Sequence, residues 1–117
     1  MTITIKIGSN VLTGSNGMLN VERMKNLVAE IAQLHAVGHK VILVTSGAVA
    51  AGRSMASNYQ QLEPVAMRQL LSSIGQVKLI DTYKQLFDEH GMLIGQLLVT
   101  KQDFSTREHY LNMKNCI

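Results

Sequence analysis

The chain has one cysteine, one proline and no tryptophan, and only 4% of its residues are aromatic. With Cys116 alone no internal disulfide can form, so a secreted scaffold stapled by disulfides is excluded and a reducing cytoplasm is the expected location. No stretch approaches the roughly 18 apolar residues of a membrane span, and the first residues lack a basic segment followed by an apolar one. Neither membrane association nor export is expected. Lys and Arg are scattered singly to a net charge of +3, without a basic run or interleaved aromatics, so nucleic acid is not an expected partner.

Several site motifs are missing too. There is no Gly-x-x-x-x-Gly-Lys-Ser/Thr, which excludes a P-loop, and no Gly-x-Gly-x-x-Gly after the first strand, which disfavours a dinucleotide-binding unit. Ser46 stands in Ser-Gly-Ala rather than in a Gly-x-Ser-x-Gly elbow, which argues against a nucleophilic serine. His35, His39, His90 and His109 have no zinc-site spacing, so no protein-ligated metal is expected. Cys116 and the seven methionines read as apolar filling.

What is present is a chain of 117 residues, 46% apolar, enough for one modest core. Thr2 to Ile7 alternates like a strand and stops at Gly8; Gly14-Ser15-Asn16-Gly17 predicts a tight turn or small hairpin. From Asn20, a good N-cap, the apolar residues Met24, Leu27, Val28, Ile31 and Leu34 mark one helical face that ends at Gly38. His39 to Thr45 is a second strand whose Val-Ile-Leu-Val run suits a parallel sheet covered on both faces. Ala48 to Arg53 resumes as a close-packing helix start, and Ser54 to Glu63 reads as a loop.

Pro64 opens a long helical stretch to Phe87, with Gly75 as a candidate kink or break, and His90-Gly91 closes it. Met92 to Thr100 reads as a third strand. Ser105-Thr106-Arg107-Glu108 matches a capping box whose helix, through Tyr110, Met113 and Ile117, stops in mid-element. The order β-α-β-α-β-α has crossovers long enough to make the strands parallel, and the expected fold is an α/β parallel-sheet sandwich with helices on both faces. Ligands in such sheets gather at the carboxyl ends of the strands, here Lys6 to Asn10, Thr45 to Ala48 and Thr100 to Asp103.

Two of these loops have the residues for anion chemistry. Lys6-Ile7-Gly8-Ser9-Asn10 sets a cation at a strand end, then a glycine that lets backbone N–H groups approach a ligand, then small polar side chains. On the motif alone, a lysine reaching solvent before an ordinary turn is the commoner reading. Thr45-Ser46-Gly47-Ala48 places a hydroxyl and a glycine where a strand passes to a helix, and either carboxylate binding or simple N-capping by Ser46 fits.

Both segments, Lys6 to Thr13 and Val44 to Arg53, together with Gln69 to Gln76, Gln96 to Thr100 and Arg107 to Asn112, resemble the glutamate 5-kinase type of the amino-acid kinase family, in order and at similar spacing. The resemblance implies ATP-dependent phosphorylation of the L-glutamate side-chain carboxylate, the first step toward proline. Lys6, Gly8 and Ser9 would then face the ATP phosphates, with Lys6 catalytic, and Ser46, Gly47 and Ala48 would bind glutamate. Mg²⁺ would be held mainly by the nucleotide, and a homo-oligomer is expected.

Family members complete the acceptor site with an Asn-Glu-Asn-Asp-type segment and hold the nucleotide with a later half bearing a second catalytic lysine. Neither is found here. Asn10 and Arg68 stand where many relatives have Ser or Thr and Lys. Residues 1–117 are therefore expected to form the N-terminal, phosphoryl-acceptor part of such a domain, truncated at its C-terminus and inactive alone. An acetylglutamate kinase or aspartokinase type, or a non-catalytic half-domain, are the alternatives.

Overall fold

The structure, a computed structural model, describes residues 1–55 and 63–98. Strand β1 (Thr2–Ile7) is followed by a single helical turn α1 (Ser9–Leu12), helix α2 (Val21–Ala36), strand β2 (Lys40–Thr45), the short helix α3 (Ala48–Arg53) and the long helix α4 (Pro64–Asp88). The two strands pair in parallel, from Thr2 beside Lys40 to Ile7 beside Thr45, and α2 forms the crossover between them. The α/β class with a parallel sheet is thus as expected.

Local chemistry accounts for the element ends. The Asn20 side chain accepts a hydrogen bond from the Arg23 amide at 3.2 Å and caps α2. Thr13 bridges to Leu19 across the Gly14–Gly17 turn, which is the expected small hairpin. Pro64 occupies the first turn of α4, where its missing N–H costs nothing.

Because side chains alternate along a strand, Ile3, Ile5 and Ile7 share a face with their partners Val41, Leu43 and Thr45. Ile5, Ile7, Val41 and Leu43 pack on that face against a core of Leu12, Met24, Val28, Ile31, Ala51, Leu79, Tyr83, Leu86 and Phe87. The core therefore joins α1, α2, α3 and α4 on one side of the sheet. The opposite face carries Thr4, Lys6, Ile42 and Val44, and Val44 is 47% exposed. Among the described residues, helices cover one face of the sheet and not both.

Three expectations are corrected. Ser9 and Asn10 belong to a helical turn, because Leu12 is wholly buried and draws the chain back onto the core just after β1. Met92 to Leu98 has no regular secondary structure: Leu93, Ile94, Leu97 and Leu98 are exposed, and neither β1 nor β2 pairs with them, so nothing described holds them extended. Val99 and Thr100, most of the Ser54–Glu63 loop, the Thr100–Asp103 strand end, the Ser105–Glu108 capping box and Cys116 lie outside the described residues.

The third correction concerns Gly75, which neither kinks nor ends a helix: α4 runs unbroken for 25 residues. Gly75 is where α3 and α4 meet backbone to backbone. A Cβ there would fall on the Ala48 carbonyl and lie 2.6 Å from the Gly52 amide nitrogen; one at Gly52 would fall on the Leu71 carbonyl, 2.8 Å from its Cα. No rotamer relieves such overlap, because the opposing atoms are main chain.

Gly75→Ala and Gly52→Ala should therefore each destabilise the chain by about 2 kcal/mol or more, as overpacking does. In an open helix interior the same change stabilises by roughly 1 kcal/mol. Exposed Ser73, two residues before Gly75, serves as the control, and Ser73→Ala should stay within about 0.5 kcal/mol. Urea unfolding checks this, and unchanged stability in Gly75→Ala would show that the helices do not meet as described.

Candidate functional site

Parallel pairing sends both strands out of the sheet at the same end, so the segments after Ile7 and after Thr45 leave side by side. The Ser46 hydroxyl donates to the Ile7 carbonyl at 3.4 Å, a long contact that ties the two segments together without saturating the hydroxyl. Lys6 sits beside Val44, exposed on the uncovered face. Gly8, Ser9 and Asn10 are exposed at the same end. The structure thus brings Lys6, Gly8 and Ser9 next to Ser46, Gly47 and Ala48.

The two loops are also coupled from beneath. Leu12, fully buried, and Leu19 form the floor under Gly47: a Cβ at position 47 would lie 3.6 Å from a methyl of each. Arg23 adds a clamp by donating from its guanidinium to the Val11 carbonyl at 3.2 Å, and the Asn20 amide donates to the Leu12 carbonyl at 2.7 Å. The cap of α2 therefore helps to set the loop that follows β1.

The two glycines differ in their reasons. Gly47 has φ +113°, a conformation that L side chains rarely adopt, and it holds the N-cap position of α3. Ser46 is accordingly not the cap, and its hydroxyl turns to β1 instead. Gly8 has φ −75° and ψ 158°, open to any residue, and no described atom lies within 4 Å of where its Cβ would be. Neither conformation nor packing requires glycine at 8, and the space beside its backbone is open to a ligand.

One participant is not evident from the sequence. Tyr83, 1% exposed on α4, places its hydroxyl 2.8 Å from Thr45 Oγ1, directly before Ser46. By spacing Tyr83 belongs to the apolar stripe of α4, and its ring does stack against Phe87 with centroids 6.2 Å apart. A buried tyrosine hydroxyl needs a partner, which is the one available hint. Nothing local points to a threonine 38 residues earlier.

Among the described residues no three His, Cys, Asp or Glu side chains come together as a metal site. No described helix is long and apolar enough to cross a membrane.

A parallel strand pair that delivers a lysine–glycine–serine loop and a serine–glycine–alanine turn to one end defines an α/β protein with a candidate anion site at its strand ends. The chain belongs to the amino acid kinase family, whose family model matches residues 1–117. Its relatives include the glutamate 5-kinases of Bacteroides thetaiotaomicron, 53% identical over 115 residues, and Chlorobaculum tepidum, 50% identical over 114. That of Klebsiella pneumoniae is 41% identical over 116 residues. These matches cover 98%, 97% and 99% of the chain, which spans 32% of the length of each of these relatives.

The buried Tyr83 also has a consequence for pH. Burial pushes its phenol above the ordinary 10.0. A folded-state pKa above the unfolded one means that the stabilisation is complete below pH ~10 and is lost as pH rises through the folded value. Unfolding free energy should therefore fall above about pH 10, and Tyr83→Phe should flatten that part of the fall. Urea titrations at pH 8 and above pH 10 measure it; an equally steep loss in the variant would place the alkaline sensitivity elsewhere.

Proposed function

We propose that the chain supplies the acceptor-binding part of an ATP-dependent kinase that phosphorylates the side-chain carboxylate of L-glutamate, giving L-glutamyl 5-phosphate for proline synthesis in the cytoplasm. The observation that carries this reading is the union of the Lys6–Ser9 loop and the Ser46–Ala48 turn at one end of the parallel sheet. The naming of the relatives as glutamate 5-kinases supports the choice of substrate. On this reading residues 1–117 are the N-terminal part of one longer domain.

In the reaction a carboxylate oxygen forms a bond to the γ-phosphorus of ATP while the bond from that phosphorus to the β,γ-bridging oxygen breaks, releasing ADP. No proton has to move. The obstacle is electrostatic, since an anion must approach a polyanion, and the site must neutralise both. Lys6 is the catalytic cation here, compensating the phosphate charge that spreads onto the equatorial and leaving oxygens. Gly8 and Ser9 present backbone N–H and hydroxyl groups to the phosphates, in the open space beside Gly8. Ser46, Gly47 and Ala48 hold the acceptor glutamate against them. Mg²⁺ travels with the nucleotide, held mainly by its phosphates, and supplies further charge neutralisation.

The nucleotide-binding remainder belongs to sequence beyond this third, so the isolated chain turns nothing over. Homo-oligomerisation is part of the same reading, favoured by the uncovered face of the sheet, where Val44 is exposed and Ile42 half-buried.

In a chimera that joins this chain to the remaining two-thirds of the Bacteroides thetaiotaomicron relative, Lys6→Ala should lower turnover by about 100-fold or more. Ser46→Ala should raise KM for glutamate more than KM for ATP. The chain alone should form no glutamyl hydroxamate from glutamate, MgATP and hydroxylamine. Full chimera activity after Lys6→Ala would remove the lysine from catalysis, and equal effects of both changes on both substrates would dissolve the division of roles.

A further inference from the structure

We infer that Tyr83 is a positioning residue for the acceptor turn, acting through Thr45 on the Ser46–Gly47 peptide; its role toward the acceptor rests on the kinase reading above. The burial of Tyr83 sets the direction of the relay. Thr45 Oγ1 donates its only proton to the Ser46 carbonyl at 3.2 Å. Tyr83 is 1% exposed and its hydroxyl has Thr45 Oγ1 as its one partner among the described residues, so in this 2.8 Å contact the tyrosine is assigned as the donor, because its proton would otherwise be buried without an acceptor. Protons therefore run from Tyr83 to Thr45 to the Ser46 carbonyl, and each hydroxyl polarises the next.

The end of this relay is the peptide that matters. The described residues contain no cis peptide bond, so holding the Ser46 carbonyl toward Thr45 turns the Gly47 N–H to the opposite side. Gly47 is the residue at φ +113°, where glycine's freedom would let this peptide rotate. Leu12 and Leu19 support it by contact alone, which limits its position but does not set the direction of its dipole. The relay does set it, from a tyrosine buried in the core and anchored by Phe87.

Tyr83→Phe removes one oxygen and keeps the packing, so the fold survives the test. In ¹⁵N-resolved NMR spectra of the 117-residue chain, Tyr83→Phe should shift the Ser46 and Gly47 amides and speed Gly47 exchange by about two- to tenfold, the range of one neutral hydrogen bond. The amides of Met24, Val28 and Ile31 should not move. Thr45→Val should reproduce the pattern, Thr45→Ser should restore it, and Thr45→Val with Tyr83→Phe should add nothing. In the chimera, Tyr83→Phe should raise KM for glutamate by a similar factor, with kcat and KM for ATP within about twofold.

Unmoved Ser46 and Gly47 amides, or shifts spread evenly through α2, would overturn the relay. A relay present in the spectra with unchanged KM for glutamate would overturn the positioning role. A chimera inactive with the unmodified chain would count against the kinase reading and the acceptor role together, while the spectra would still decide the relay.

Discussion

Helices α3 and α4 meet with main chain against main chain at Gly52 and Gly75, and the geometry at the ends of the strands hangs on that approach. α3 is only six residues long, too short to hold its own orientation through internal hydrogen bonds. Its position comes from being pressed against the long α4, with Ala50 and Ala51 buried and Ala48 beneath Gly75. The same contact brings the later turns of α4 over the sheet, where Tyr83 meets Thr45. Any side chain at Gly52 or Gly75 would separate the helices and move the Ser46–Gly47 turn and Tyr83 together.

The two loops of the candidate site are built on different principles. The Ser46–Gly47 turn is determined from inside, by a positive φ, by the floor of Leu12 and Leu19, and by a hydrogen bond from Thr45. The loop after β1 is held at its far end by Leu12 and by Arg23, and Lys6, Gly8 and Ser9 stay exposed. A turn fixed from inside therefore faces a lysine on a long flexible stem.

The strands, the cap at Asn20, the glycine turn and the start of α4 at Pro64 were all legible, because each follows from local preference or short-range periodicity. The joining of Lys6–Ser9 with Ser46–Ala48 was legible too, since two consecutive parallel strands must end on the same side. Gly75 was misread because a helical glycine looks alike from sequence whether it weakens the helix or admits another backbone; only the facing Ala48 and Gly52 decide it. The third strand was expected from composition, but a strand exists through its partners, and the described residues give Met92 to Leu98 none. Tyr83 was hidden for a related reason: its ring obeys the helical pattern, while its hydroxyl answers to a residue on another element.

Each strand pair joins residues 38 positions apart, and Tyr83 follows Thr45 by the same interval. A chain emerging from the ribosome therefore makes the β1–α2–β2 unit available well before α4 has been synthesised. At about 5–20 residues per second, the delay between Thr45 and Tyr83 is roughly 2–8 s, long compared with the closing of a small supersecondary unit. Throughout that interval the core faces of Leu12, Val28 and Ile31 lack Leu79, Tyr83 and Phe87 as their cover. The nascent chain thus holds a half-built core for seconds, and the turn after β2 is completed last, when the tyrosine arrives.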